Sequence, residues 1–215
     1  MEDNRPGGEA LFERLARARS ILERERREAP GLAAELLALP VSLQLDHVNR
    51  DPRLATWGLC ELLLARSQEL TGADPAESGR IAGLALAASQ GLDLELHAAP
   101  LVYDFKARTW ATAGEAWLQA GELRRAEEAL GAAAACLAHG TGDMLLDAQL
   151  LEFEGEVRRD QGRRGEADGL FKQAAVRYAA LREHTLEARA LARRAQSYRS
   201  TPCHAPLTLA FEPSR

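Results

Sequence analysis

Seven residues between Trp110 and Ala133 constrain this chain more than any other feature. Trp110, Gly114, Trp117, Gly121, Ala126, Leu130 and Ala133 stand at spacings of 4, 3, 4, 5, 4 and 3, with Ala113 beside Gly114. Steps of three and four place side chains on one face of a helix. The step of five after Gly121 breaks that face, and glycine permits a tight turn there. The pattern predicts two antiparallel helices. Trp110 and Trp117 are the knobs, and Gly114, Ala126 and Ala133 are the small residues that let helices approach closely.

The composition suits the same architecture. Leu and Ala dominate and aromatics make up only 5 % of 215 residues, a balance that favours helices over β-sandwiches. An apolar share of 46 % and a charged share of 27 % belong to a globular chain. The length suffices for one helical domain, or for a short array with an accessory segment. The net charge of −5 supplies no general field for nucleic acid. The most basic stretch, 182–199, with Arg182, Arg189, Arg193, Arg194 and Arg199, reads as a capping surface. No apolar run approaches the ~18–20 residues needed to cross a membrane, and the polar start MEDNRPGGEA is no signal peptide. Cys60, Cys136 and Cys203 are odd in number and far apart, which argues against a disulfide framework and for a reducing cytoplasm.

Along the chain, residues 1–8 read as a flexible tail and 9–50 as an N-terminal helical segment. There Leu11, Leu15, Ala18 and Leu22 form an apolar stripe, Pro30-Gly31 ends a helix, and a short helix follows over 32–39. Asp51-Pro52 opens a helix over about 53–71. Asp74-Pro75 starts another, with Gly91 beyond its end. Further helices are expected from near 98–100 to 120, then over 123–138, 144–161, 164–182 and 185–199. Residues 200–215, broken by Pro202 and Pro206, form an irregular tail in which Leu207 to Phe211 is the one faint strand candidate.

The pattern of the opening unit returns 41 residues later. Leu151, Gly155, Gly162, Ala167, Phe171, Ala174 and Tyr178 take the matching places, with Arg158 where an aromatic would stand. A third partial match runs through Ala188, Leu191, Ala195 and Tyr198. A degenerate earlier one covers Leu59 to about Ala88. Residues 107–138 and 148–181 resemble the tetratricopeptide (TPR) repeat, whose period is about 34 residues. With WGLCELLL at 57–64 and GTGD at 140–143, residues 50–198 look like an uncharacterised bacterial TPR group, here ending at an incomplete repeat. The resemblance implies an all-α fold over 51–199: antiparallel helix pairs stacked as a short right-handed solenoid behind the N-terminal segment.

The same resemblance implies a function. TPR domains hold a partner segment on the concave face formed by each first helix. Carried over, the register of that face comprises Arg108, Ala111, Glu115, Leu118 and Gln119, then Gln149, Glu152, Glu156, Arg159 and Asp160, then Arg189, Ala192, Gln196 and Arg199. The partner-binding candidates among them are Arg108, Glu115, Gln119, Gln149, Glu152, Glu156, Arg159 and Arg189. An acidic middle flanked by arginines fits a basic or mixed-charge peptide. The chain lacks the Lys and Asn of a carboxylate clamp, since Asn4 and Asn49 lie outside the array. No GxxxxGK[ST], GxSxG, HExxH or GxGxxG occurs, so the expectation is a non-catalytic scaffold or adaptor without cofactor. Cys203-His204 has no second pair at ligand spacing, and no metal is expected. The partner is a protein or peptide, with neither membrane nor nucleic acid. The alternative is a self-associating structural protein, a homodimer through the N-terminal stripe or the incomplete final repeat.

Overall fold

The computed structural model describes residues 5–199, apart from the side chains of 5–11, 14, 198 and 199. Helix α1 spans Arg5–Leu37, α2 Val41–Arg50, α3 Trp57–Leu70, α4 Pro75–Gln90 and α5 Ala99–Gln119. Then come α6, Leu123–Leu137; α7, Met144–Asp160; α8, Arg164–Ala180; and α9, His184–Arg199. The fold is all-α, with no strand among the described residues, and from α3 onward each helix packs against the next. No described helix is long and apolar enough to cross a membrane. The expected tail over 200–215, its strand candidate and Cys203-His204 lie outside the described residues.

Local chemistry sets the helix ends. Asp74 accepts the Glu77 amide at 3.0 Å, with Pro75 at the first helical position. Asp143 accepts the amides of Leu145 and Leu146 at 2.9 and 3.1 Å. Three later turns share one closure. Gly121, Gly162 and Arg182 have φ of 80°, 78° and 62°. The amide after each returns to the carbonyl five residues back: Glu122 to Trp117 and Arg163 to Arg158 at 2.8 Å, Glu183 to Tyr178 at 2.9 Å. Glycine meets this φ without strain, whereas Arg182 does not. Arg182→Gly is expected to raise stability by about 0.5–1 kcal/mol. Urea denaturation checks this, and a lowered midpoint would contradict it.

The N-terminal third departs from expectation. Pro30-Gly31 does not stop α1, and Arg5 to Gly8 are helical rather than a tail. Proline removes one hydrogen bond, but Ala29, Ala33 and Leu36 are buried on the same helix, and that packing outweighs the local loss. Helix α2 falls within the expected helical segment but does not read as an element of its own, because Val41, Leu43 and Leu45 are exposed and the buried face pairs polar Gln44 with Val48. The Gln44 amide donates to the carbonyls of Leu39 and Leu37 at 2.9 and 3.4 Å, closing the end of α1. Asp51-Pro52 yields only a 3₁₀ turn, Pro52–Leu54. Helix α3 starts afresh at Trp57, capped by Thr56, whose hydroxyl accepts the Leu59 amide.

Three cores follow one another along the chain. Ala33, Leu36 and Val48 join Leu59, Leu63 and Ile81 in the first, so the segment from Leu32 to Val48 shares a core with the helices after it. Helix α5 gives Val102 and Phe105 to the first core and Ala111 and Leu118 to the second. Helix α7 likewise gives Phe153 and Val157 to the second core and Ala148 to the third, with Tyr178 and Ala190. The small residues sit where close approach demands them. A Cβ on Gly114 would lie 2.5 Å from the Phe153 ring, and one on Gly155 would lie 2.7 Å from the Phe171 ring. Trp117 packs back onto Gly79 of α4 and carries the Arg125 guanidinium 4.2 Å from its ring centre. Arg158, at the aromatic position of the second unit, is held by Glu154 at 2.9 Å. The loop at 140–143 is tied to α5 by buried Asp104, which accepts the amide and hydroxyl of Thr141.

Candidate functional site

Helices α5, α7 and α9 bring together acids and bases far apart in sequence. Glu152 and Glu156 are one turn apart on α7, and Arg189 and Arg193 are one turn apart on α9, so each pair shares a face. Glu152 is only 1 % exposed. Its carboxylate accepts the Tyr178 hydroxyl at 2.8 Å, two Arg189 nitrogens at 3.0 and 2.7 Å, and Arg193 at 2.9 Å. Arg193 also meets Glu156 at 2.9 Å, while Arg194 turns to Asp168 on α8 at 2.6 Å. Burial first, and then the Glu152 carboxylate, push the Tyr178 phenol far up, so it remains a donor. Helix α9 has little apolar surface to contribute. Ala190 is its one buried hydrophobic among the described residues, with Leu186 partly buried. Charge therefore does much of the work of docking α9.

Glu115 on α5 completes the cluster from the other side. It is partly open to solvent, and among the described residues no hydrogen-bond donor reaches its carboxylate. Burial, and then the Glu156 carboxylate, push Glu115 up to about 7, against the pull of Arg193 and Arg189. Burial raises Glu156 as well, opposed by Arg193 and Arg159. The cluster thus sets three carboxylates against two guanidiniums, with one carboxylate unmet. It can accept a cationic group, and it can hold or release a proton near neutral pH.

No protein-family model, curated protein or solved structure matches this chain. The site is defined by its own geometry.

Glu115, Glu152, Glu156 and Arg189, expected on one face, do meet. Glu152 is not available to a partner, because it is sealed beneath Tyr178 and two arginines. Arg108 is exposed and reaches Asp143 at 3.4 Å, latching the loop before α7. Arg159 pairs with Asp160 at 3.1 Å. Gln119 is exposed and Gln149 half-buried. Ala111 and Leu118, which the family register also places on the face, belong to the core. The sequence reading missed Arg193 and Tyr178 as members of this cluster. The family register selects Ala192 on α9, one residue short of Arg193. The usable signal was the i,i+4 pair Arg189–Arg193 mirroring Glu152–Glu156. The basic stretch at 182–199 is largely spent, since Arg189, Arg193 and Arg194 all hold carboxylates.

A second polar cluster is closed upon itself. Glu25 of α1 is buried and accepts the amides of Trp57 and Gly58 at 2.8 and 3.4 Å, capping α3 from another helix. His97 stands 3.4 Å from its other oxygen. Trp57 donates to Glu61 at 2.8 Å, and Glu61 takes Arg26 in a two-point pair at 2.7 and 2.8 Å. This joint orients α1, and every carboxylate in it has a partner. The described residues contain no group of three His, Cys, Asp or Glu arranged to hold a metal. Burial pushes the thiols of Cys60 and Cys136 up, away from the reactive thiolate form.

Proposed function

We propose that the chain is a non-catalytic TPR-type scaffold of the cytoplasm that holds a protein segment on the face of α5, α7 and α9. The one observation that carries this reading is the unmet Glu115 carboxylate beside Glu156. Support also comes from helices that pack chiefly on their neighbours, from the recurring turns at Gly121, Gly162 and Arg182, and from the Gly155–Phe171 contact within the second unit. In this reading the helix pairs form a short solenoid, and the partner is an extended or helical segment bearing a Lys or Arg. Its cationic side chain enters beside Glu115 and supplies the missing positive charge. Gln119, Gln149 and Arg159 hold its backbone.

A displayed random-peptide library selected on the full chain at pH 7.5 tests this. Selection is expected to enrich peptides with a central Lys or Arg. Glu115→Gln together with Glu156→Gln is expected to weaken them about tenfold or more, with helicity unchanged. Enriched peptides that lack basic residues, or that bind the double variant equally well, would contradict the reading.

A further inference from the structure

Two unpartnered surfaces on this chain match each other. The first is the outer half of α1. Residues 15–20 are all exposed, as are Phe12 and Glu13, with Phe12 at 74 % and Leu15 at 57 %. Leu15, Ala18 and Leu22 lie on the same face as Ala29, which is buried, and Leu36, which packs into the first core. The face that docks α1 on the body therefore continues past the body, uncovered. The second surface is a groove of 610 Å³ between α6 and α7. These two helices pack much less closely than α5 with α6 or α7 with α8. Gly131, Ala134 and Leu151 line it above the buried Leu130 and Leu150. A Cβ on Gly131 would meet nothing within 4 Å, so the groove is open there.

We propose that the outer half of α1 from one copy lies in the α6–α7 groove of a second copy. Size fits: residues 12–20 span about 13 Å of helix, and the groove runs along about 15 Å of α6, from Glu127 to Leu137. Charge fits in sign as well. Segment 12–20 carries Arg14, Arg17 and Arg19 against Glu13, with Arg19 also holding Glu23, and stays cationic by about one charge. The groove carries Glu127, Asp147 and Glu154 against Arg158, with Arg177 holding Asp147 from its edge, and stays acidic by about one charge. The small residues of the lining admit Phe12 and Leu15. The occupant comes from another copy because α1 is fixed on α3 in the first core, with its outer half exposed in its own chain. Reciprocal exchange closes a two-fold dimer. It uses none of the residues of the α5–α7–α9 face, so it stands independently of the peptide-holding function.

Light scattering on the full chain across a concentration series tests the proposal. The wild type is expected to dimerise. Leu15→Asp on exposed α1 and Ala134→Arg on the exposed groove lining are each expected to be folded monomers. Mixed together, they are expected to form a heterodimer, because one retains the groove and the other the helix. Three results would overturn the proposal: a monomeric wild type at every concentration; an Ala134→Arg variant that still dimerises while Leu15→Asp does not, which assigns the contact to α1 against α1; and two monomeric variants that fail to associate on mixing. Circular dichroism of Ala134→Arg guards against unfolding, and Gly131→Leu, placed in open space, serves as a second groove block with the same expected outcome.

Discussion

Replacing Glu152 by alanine is expected to undock α9. The substitution removes the acceptor of Tyr178, Arg189 and Arg193 together. Breaking a buried ion pair from one side costs about 3–5 kcal/mol. The two arginines are partly exposed and can turn to water, which places the cost near the lower bound, at about 3 kcal/mol. The Tyr178 hydroxyl cannot escape, since the residue is fully buried, and leaving it unpaired keeps the cost from falling further. Because α9 buries so little apolar surface, the loss concentrates there rather than spreading over the other helices. Hydrogen exchange is expected to show the amides of 184–199 losing protection while 99–137 keep theirs. Glu152→Gln retains an acceptor for Tyr178 and should lie between. An α9 as well protected in Glu152→Ala as in the wild type would mean that its packing on α8 suffices.

The second large effect is on the pH dependence of stability. Glu115 titrates at about 7 in the folded chain, against an ordinary value of 4.5. Between these values the folded state holds a proton that the unfolded chain has released. The contribution of Glu115 to stability is therefore full below about pH 4.5 and is lost as pH rises to about 7. The groups that set this window are Glu152 and Glu156 on α7 and Arg189 and Arg193 on α9. The loss through Glu115 amounts to about 2–3 kcal/mol at pH 8. Glu115→Gln removes it. Denaturation at pH 5 and pH 8 is expected to show a gap in the wild type that is at least halved in Glu115→Gln. Glu156, also raised, sustains the remainder. Equal gaps in the two proteins would remove Glu115 as the source.

The helical part from α4 onward was legible because its signals are local. Asp74-Pro75, Gly91, Gly121, Asp143 and Gly162 mark ends by backbone chemistry that neighbouring residues complete. The region before α3 was not, because its signals are tertiary. Pro30 reads as a stop until Ala29, Ala33 and Leu36 are seen buried around it. Helix α2 reads as nothing until Gln44 is seen closing α1. Glu25, in a run of arginines and glutamates, carries no mark of the burial that lets it cap α3. At the site, the acids were found because the repeat register points to α5 and α7. Arg193 was missed because α9 is offset from that register by one residue. The burial of Glu152 was hidden for the same reason: its lids, Tyr178 and Arg189, come from two other helices.

The proposed partner site on the face of α5, α7 and α9 is checked by hydrogen exchange of the full chain, with and without a selected basic peptide. Added protection is expected to be confined to 108–119, 149–160 and 189–197, and to vanish when Glu115 and Glu156 are both replaced by Gln. Protection along α6 at 127–138, with these three segments unchanged, would contradict it.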